Sequence, residues 1–147
     1  MEKKQKLNLL ISQQQKATDE LRRSMEQYRD SADLDEDDII DPEDLAQQAV
    51  AKESQLRLQQ QLNRARADLD LLEDYASRKC RRVEEGALVQ TDSQWFLVGL
   101  SLGGYDTGPV DIRCISIDSP AFKLMHGKAV NDSFILGETS YRIMAIE

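Results

Sequence analysis

The sequence predicts an α+β fold, with an N-terminal antiparallel helical hairpin that forms a coiled coil and a small C-terminal domain built on an antiparallel sheet with one short helix. Residues 1–79 contain no glycine and one proline, whereas residues 80–147 contain all seven glycines and the other two prolines. Nine carboxylates and no basic residue lie between Asp30 and Ala51. We therefore expect a hairpin over residues 1–79, with an acidic tip at about 33–44, and a second domain over 80–147.

Heptad spacing predicts the two helices. Mostly apolar residues follow alternating steps of four and three, as in a coiled-coil seam, which the polar residues Gln14 and Thr18 weaken. In the first helix these positions are Leu7, Ile11, Gln14, Thr18, Leu21, Met25, Tyr28 and Ala32; in the second they are Leu58, Leu62, Ala65, Leu69, Leu72 and Ala76. Nearer the tip, Leu45, Ala49 and Leu56 suit a shifted phase. Pro42 fits the first turn of the second helix, with Asp41 as its N-cap.

Short apolar or alternating runs predict the strands of the second domain. We expect strands at Ala87–Thr91, Trp95–Leu102, Val110–Ile117, Phe134–Leu136 and Tyr141–Ile146. Between the third and fourth runs, Ser119 caps a short helix, Pro120 occupies its first turn and Gly127 ends it. The order is three strands, a helix and two strands.

The overall charge and composition narrow the function classes. The net charge is −8 and lies in the acidic segment, which argues against direct contact between the tip and nucleic acid. No apolar run is long enough to span a bilayer, so we expect no membrane partner. Cys80 and Cys114 form no metal spacing or disulfide framework, which is typical of free thiols in the cytoplasm. The single histidine, His126, has no acid-base set around it that would support catalysis.

A basic cluster follows the second helix, at residues 78–82, with the sequence Arg-Lys-Cys-Arg-Arg. Two interpretations are equally open. The charges complement the C-terminal end of the helix dipole, or they form a docking patch for a partner.

The acidic tip has three interpretations. It is a solvated turn that keeps the hairpin soluble, or a weak Ca²⁺ site, or a source of carboxylates for a metal held by a partner. The Ca²⁺ interpretation places acids at EF-hand positions 1, 3, 5, 9 and 12, which are Asp33, Asp35, Asp37, Asp41 and Asp44. Asp38 stands where that loop needs glycine, which argues against it.

Several stretches resemble the Gre family of bacterial transcript-cleavage factors. Residues 115–128, Ile-Ser-Ile-Asp-Ser-Pro-Ala-Phe-Lys-Leu-Met-His-Gly-Lys, resemble the family's I-S-x-x-S-P…L-x-G-K stretch. Residues 131–134 are similar to its G-D-x-V/F, with Asn131 in place of glycine, and residues 141–146 are similar to its final strand. The resemblance implies that the second domain is FKBP-like and docks on RNA polymerase through Ser119, Pro120, Lys123, Gly127 and Lys128.

The tip segment at residues 41–53 is similar to the family motif D-L-S-E-N-A-E-Y…A-K-E, with Asp41 on the aspartate and Asp44 on the glutamate. The resemblance implies an accessory factor, not an enzyme, which acts as a monomer in the bacterial cytoplasm. It would insert the hairpin into the polymerase secondary channel and reach the 3′ end of the nascent RNA indirectly. Asp41 and Asp44, helped by Glu43 or Asp38, would hold a second Mg²⁺ shared with the polymerase and stimulate cleavage of backtracked transcripts.

Two alternatives remain beside transcript cleavage. Pro42 and Glu43 replace the family's Leu and Ser, and the acids at 33–38 exceed what cleavage requires, so the same docking could inhibit the polymerase instead. The other alternative is a coiled-coil adaptor with a soluble or Ca²⁺-binding tip.

Overall fold

The computed structural model describes residues 2–32, 42–102 and 111–147, and in this part of the chain two long helices precede five strands and a short helix. In chain order the elements are α1 (Lys3–Ala32), α2 (Pro42–Ser77), β1 (Leu88–Thr91), β2 (Trp95–Gly99), β3 (Ile112–Ser116), α3 (Pro120–Met125), β4 (Ser133–Leu136) and β5 (Thr139–Ile146). The predicted fold class is confirmed. The chain divides into two compact units, residues 14–69 and residues 1–13 with 70–147.

The unit of residues 14–69 is an antiparallel pair of helices. The first residues of this unit on α1 lie against its last residues on α2. There the Gln14 side-chain amide donates a hydrogen bond of 3.1 Å to the Ala65 carbonyl. Gln14, Thr18, Leu62 and Ala65 are all buried, as the heptad pattern predicts. The Thr18 hydroxyl donates to the Gln14 carbonyl at 2.8 Å, so both polar seam residues are hydrogen-bonded.

The predicted shift of phase near the tip is wrong. Leu45 and Leu56 are 53% and 61% exposed, and Ala49 is also exposed. The half-buried positions continue the original rhythm back along α2 through Leu58, Gln55, Ala51 and Gln48. Because an uninterrupted helix keeps one phase, the spacing rather than the polarity of a residue decides which side chains face the partner helix.

The second unit contains a five-stranded sheet in the order β3-β2-β1-β5-β4. The predicted antiparallel pairing holds for β1 with β2, β1 with β5 and β4 with β5. It is wrong for β2 and β3, which run parallel, with Trp95 opposite Ile112 and Gly99 opposite Ser116. The sheet is therefore mixed.

The length of the connection between β2 and β3 explains why these strands can pair in parallel. A hairpin needs only a short turn, whereas a parallel neighbour needs a connection long enough to return to the start of the first strand. Residues 100–111 separate β2 from β3 and supply that length. The glycine-rich part of this segment resembles a long hairpin turn in the sequence, and its residues 103–110, including Val110, lie outside the described residues.

Each face of the sheet carries its own apolar core. One core joins the sheet to α3 and the segment before β1; its buried members are Cys80, Val83, Ala87, Val89, Phe96, Val98, Ile115, Met125, Phe134, Tyr141 and Ile143. The other joins the opposite face to the ends of the long helices; its buried members are Leu7, Leu10, Leu72, Tyr75, Leu88, Leu97, Leu100 and Ile112. Alternation along each strand sends successive side chains to different cores.

Two lysines of the first helical turns are almost completely buried in this unit. The Lys3 ammonium group donates hydrogen bonds of 2.8 and 2.7 Å to the carbonyls of Arg78 and Gly86. The Lys6 ammonium lies 3.3 Å from the centroid of the Trp95 ring, a cation–π contact. Burial lowers the pKa of both lysines. These contacts tie the first turns of α1 to the sheet unit.

The thiol of Cys114 makes the stability of this unit sensitive to alkaline pH. Burial raises its pKa from 9.0 to about 11, against a smaller lowering by a backbone hydrogen bond at Leu102. A raised pKa contributes stability that is complete below the unfolded value and is lost as pH rises through the folded value. We expect the free energy of unfolding to fall by about 1–2 kcal/mol between pH 9 and 11 from this group.

Urea denaturation under reducing conditions at these two pH values measures the effect. Lys3, whose pKa is lowered, titrates in the opposite sense, so the comparison of wild type with Cys114→Ala isolates the thiol. A smaller fall in the variant is the expected result. An equal fall in both proteins would show that Cys114 does not carry the effect.

Candidate functional site

The helix α3 and its two flanking turns contain all the predicted docking residues. Ser119 is the N-cap, in extended conformation, and its hydroxyl accepts a hydrogen bond of 3.3 Å from the Phe122 amide. The same hydroxyl donates to the Ser116 carbonyl at 2.6 Å, so it fixes the turn after β3 as well as the helix start. Pro120 occupies the first turn, where its missing amide proton costs nothing. These local predictions are confirmed.

The end of α3 is tied to a segment distant in sequence. Gly127 follows the helix with a φ of +79°, and its amide donates a hydrogen bond of 2.8 Å to the Val83 carbonyl. The Val83 amide in turn donates to the Lys128 carbonyl at 2.9 Å. Val83 itself is fully buried in the core below α3. This pair of bonds places the chain around Arg82 beside Gly127 and Lys128.

The turn that follows explains one departure from the resembled motif. Asn131, which stands where that motif has glycine, has a φ of +77°, and asparagine is one of the few other residues that adopts this region readily. Its amide donates to the Ile143 carbonyl at 2.9 Å. The Asp132 carboxylate accepts a hydrogen bond of 2.8 Å from the Ala129 amide, which closes the turn.

The outer surface of α3 combines apolar and positively charged groups. Pro120, Lys123 and Gly127 are exposed, and Lys128 is half-exposed. Leu124 is also 51% exposed. A leucine on a short helix can be assigned to the core or the surface only when the packing of the helix is known, so the sequence carried no clear signal for it.

The basic cluster at residues 78–82 divides into two parts. Helix α2 ends at Ser77, so none of the positive charges of the basic cluster lies within the last turn of that helix. Arg78 pairs with Asp74 at 2.8 Å and packs over the Tyr75 ring, so its role is structural. Arg81 and Arg82 are exposed, and neither forms an ion pair within the described part of the chain.

The predicted metal ligands lie mostly beyond what the structure describes. Asp38 and Asp41 lie outside the described residues, and the Asp44 side chain does too. Glu43 lies in the first turn of α2 and is exposed. Among residues 2–32, 42–102 and 111–147, no group of three or more His, Cys, Asp or Glu side chains is arranged to hold a metal ion. The described residues therefore supply at most a single ligand at this end of α2.

A cavity of about 430 Å³ lies in the sheet unit beside β3. It is lined by Leu10, Gln94, Leu102, Asp111, Ile112, Arg113 and Cys114. The one carboxylate and one thiol there have no histidine or second acid beside them in the lining, and burial keeps the thiol protonated at neutral pH because its pKa is about 11. The lining therefore lacks an acid-base pair or an activated nucleophile.

No protein-family model matches this chain, and no curated protein matches it. Among solved structures, it is similar to the crystal structure of GreA factor homolog 1 (Gfh1) of Thermus thermophilus. The identity is 22%, the alignment covers 98% of this chain and 94% of that one, and the TM-score is 0.37. No helix in the described ranges is long and apolar enough to cross a membrane.

Proposed function

We propose that this chain is an accessory factor of bacterial RNA polymerase of the Gre type. The observation that carries the proposal is the sequence resemblance at residues 115–128, together with the form these residues take. They make the end of β3, a capped helix and a glycine turn that presents Pro120, Lys123 and Leu124 outward. An exposed apolar side chain within a polar rim is the usual composition of a protein docking surface.

The docking residues in this proposal are Ser119, Pro120, Lys123, Gly127 and Lys128. Ser119 and Gly127 act by holding the backbone, since their hydrogen bonds lead to the chain at Ser116 and Val83. Pro120, Lys123 and Lys128 offer side chains to the polymerase. The hydrogen bonds at both ends of α3 hold the helix in place before binding, which limits the conformational entropy lost on binding.

The acidic segment is the second part of the proposal. Asp41 and Asp44, with Glu43 or Asp38 helping, would supply carboxylate oxygens to a Mg²⁺ shared with the polymerase. An all-carboxylate donor set fits this ion, which takes oxygen ligands and few of them from any one protein. The ion, when bound, supplies the Lewis-acid chemistry that activates water for hydrolysis of a backtracked transcript. The exposed position of Glu43 in the first turn of α2 suits a donor that reaches toward a partner.

A regulatory role is the second candidate. The acids at residues 33–38 are additional to the pair proposed for cleavage. A dense group of carboxylates could instead compete for the polymerase's own Mg²⁺ and slow RNA synthesis. Relief of inhibition by excess Mg²⁺ would identify this role.

Transcript cleavage in a stalled elongation complex tests the proposal. We expect wild type to accelerate cleavage, and Asp41→Asn/Asp44→Asn to lose about a hundredfold or more, since bound metal supplies several kcal/mol of transition-state stabilisation. The matched control is Asp70→Asn/Glu73→Gln, which removes two exposed carboxylates of α2 far along the helix from Asp44. Wild-type protein that binds polymerase but neither promotes cleavage nor slows synthesis would refute both candidate roles.

A further inference from the structure

The positive charges around α3 come from two parts of the chain that only folding brings together. Lys123 and Lys128 belong to the helix and its C-terminal turn, whereas Arg81 and Arg82 precede the sheet. The two bonds between Val83 and residues 127–128 join these segments side by side. We call Arg81, Arg82, Lys123 and Lys128, together with the exposed Leu124, the basic patch.

The neighbouring carboxylates Glu84, Glu85 and Asp132 form no ion pair with the basic patch in the described part of the chain and have other hydrogen-bond partners. The Glu85 carboxylate accepts a hydrogen bond of 2.7 Å from the Tyr75 hydroxyl. Glu84 interacts with the Cys80 thiol, and the Asp132 carboxylate binds the Ala129 amide. Within the described ranges none of the four cations of the patch forms an ion pair.

The charge of the basic patch is opposite in sign to the net charge of the chain, which is −8. Random approach to another acidic surface is repulsive for such a protein, and a local cluster of unpaired cations reverses that repulsion over about a Debye length. The basic patch therefore favours a negatively charged partner and determines which face of this protein contacts that partner.

We infer that the basic patch is a docking surface for an acidic protein surface, with Leu124 as the apolar anchor and Arg81 and Arg82 as binding residues outside the α3 stretch. The inference rests on the proposed function, in which the partner is RNA polymerase. The inference goes further in naming the chemistry of the polymerase surface that would face α3: carboxylates around an apolar pocket.

A protein partner fits the patch better than nucleic acid does. Proteins that bind single strands present exposed aromatic rings on which bases stack. The aromatic ring nearest the patch, Phe122, is half-buried and packs against His126 at 4.9 Å between ring centroids. The exposed apolar group is the aliphatic Leu124, which offers no ring on which a base could stack.

Affinity for RNA polymerase measured with the full chain tests this inference, by comparing wild type, Arg82→Glu and Arg142→Glu. Arg142 is an exposed arginine of the same unit. Tyr141 and Ile143, its neighbours on β5, are buried in the core below α3, so strand alternation places Arg142 on the opposite face of the sheet. Both variants change the net charge equally.

We expect Arg82→Glu to bind polymerase about tenfold more weakly and with a reduced salt dependence, and Arg142→Glu to bind within about twofold of wild type. Arg82→Gln, which removes the charge without reversing it, should give an intermediate loss. Equal weakening by both glutamate variants would overturn the inference, because it would show an effect of net charge alone.

Further results distinguish failure of this inference from failure of the proposed function, and a protein partner from nucleic acid. If wild type binds polymerase and Arg82→Glu binds it with the same affinity, the inference about the basic patch is overturned but the proposed function stands. If wild type does not bind polymerase, both are overturned. Binding of the isolated protein to single-stranded oligouridine, lost in Arg82→Glu while polymerase affinity is unchanged, would reassign the patch to nucleic acid.

Discussion

Replacement of Gly99 by alanine is expected to destabilise the sheet unit by roughly 3 kcal/mol or more. Gly99 ends β2 with a φ of +136°, a region that residues with a side chain rarely adopt. A Cβ atom there would lie 2.6 Å from the Tyr75 hydroxyl oxygen and 2.8 Å from the ring carbons Cζ and Cε2. Tyr75 is fully buried, so its ring cannot move away without disturbing the core between the long helices and the sheet.

Gly137→Ala is the matched control for this prediction. Gly137 also has a positive φ, +62°, but a Cβ atom there meets nothing within 4 Å. Its replacement should cost about 1–2 kcal/mol, the conformational penalty alone. Urea denaturation followed by circular dichroism measures both variants. Equal losses of stability would mean that the contact with Tyr75 contributes nothing to the effect of Gly99→Ala.

Phe96→Ala is expected to cost about 3–5 kcal/mol, the range for removal of a buried aromatic ring. Phe96 lies in β2 with no exposed surface and makes edge-to-face contacts with Phe134 and Tyr141, at 5.8 and 5.3 Å between ring centroids. Phe134 and Tyr141 stack on each other at 5.4 Å. Loss of the Phe96 ring therefore removes the contact that joins β2 to the β4–β5 hairpin.

Ile135→Ala provides the comparison, because Ile135 lies next to Phe134 on β4 but is 62% exposed. Its replacement should change the free energy of unfolding by no more than about 0.5 kcal/mol. Thermal and urea unfolding report both values. A loss below about 1.5 kcal/mol for Phe96→Ala would contradict the aromatic cluster as the centre of this core.

The long helices could be predicted almost completely from the sequence. Heptad spacing gave the buried positions Gln14, Thr18, Leu62 and Ala65, and Pro42 gave the start of α2. Two errors lay near the tip: the predicted seam residue Tyr28 is 43% exposed, and apolar Leu45 and Leu56 suggested a second phase. Their exposure shows that apolar character alone does not place a residue in a seam, since helix geometry is continuous along the chain.

The sheet was predicted strand by strand but not in its topology. Runs of apolar residues located β1 to β5 within a few residues, because alternation is a local property. Neither the parallel pairing of β2 with β3 nor the use of both faces of the sheet has a local signal. Pairing depends on long-range register, which a single sequence does not display.

The candidate site shows the same division. Ser119, Pro120 and Gly127 have roles fixed by local chemistry, and the sequence was sufficient to predict the cap, the first turn and the helix end. The position of Arg82 beside Lys128 depends on the hydrogen bonds of Val83, between residues that are far apart in the chain. The exposure of Leu124 likewise depends on how α3 packs against the rest of the unit, which the sequence does not show.

The sequence by itself therefore determined the helical pair, the locations of the strands and the capped helix α3, because periodicity, caps and turns act over a few residues. The tertiary structure decided the mixed sheet, the close approach of Tyr75 to Gly99 and the assembly of the basic patch. These features arise from contacts between segments distant in sequence, whose free energies depend on the complete packing of the unit.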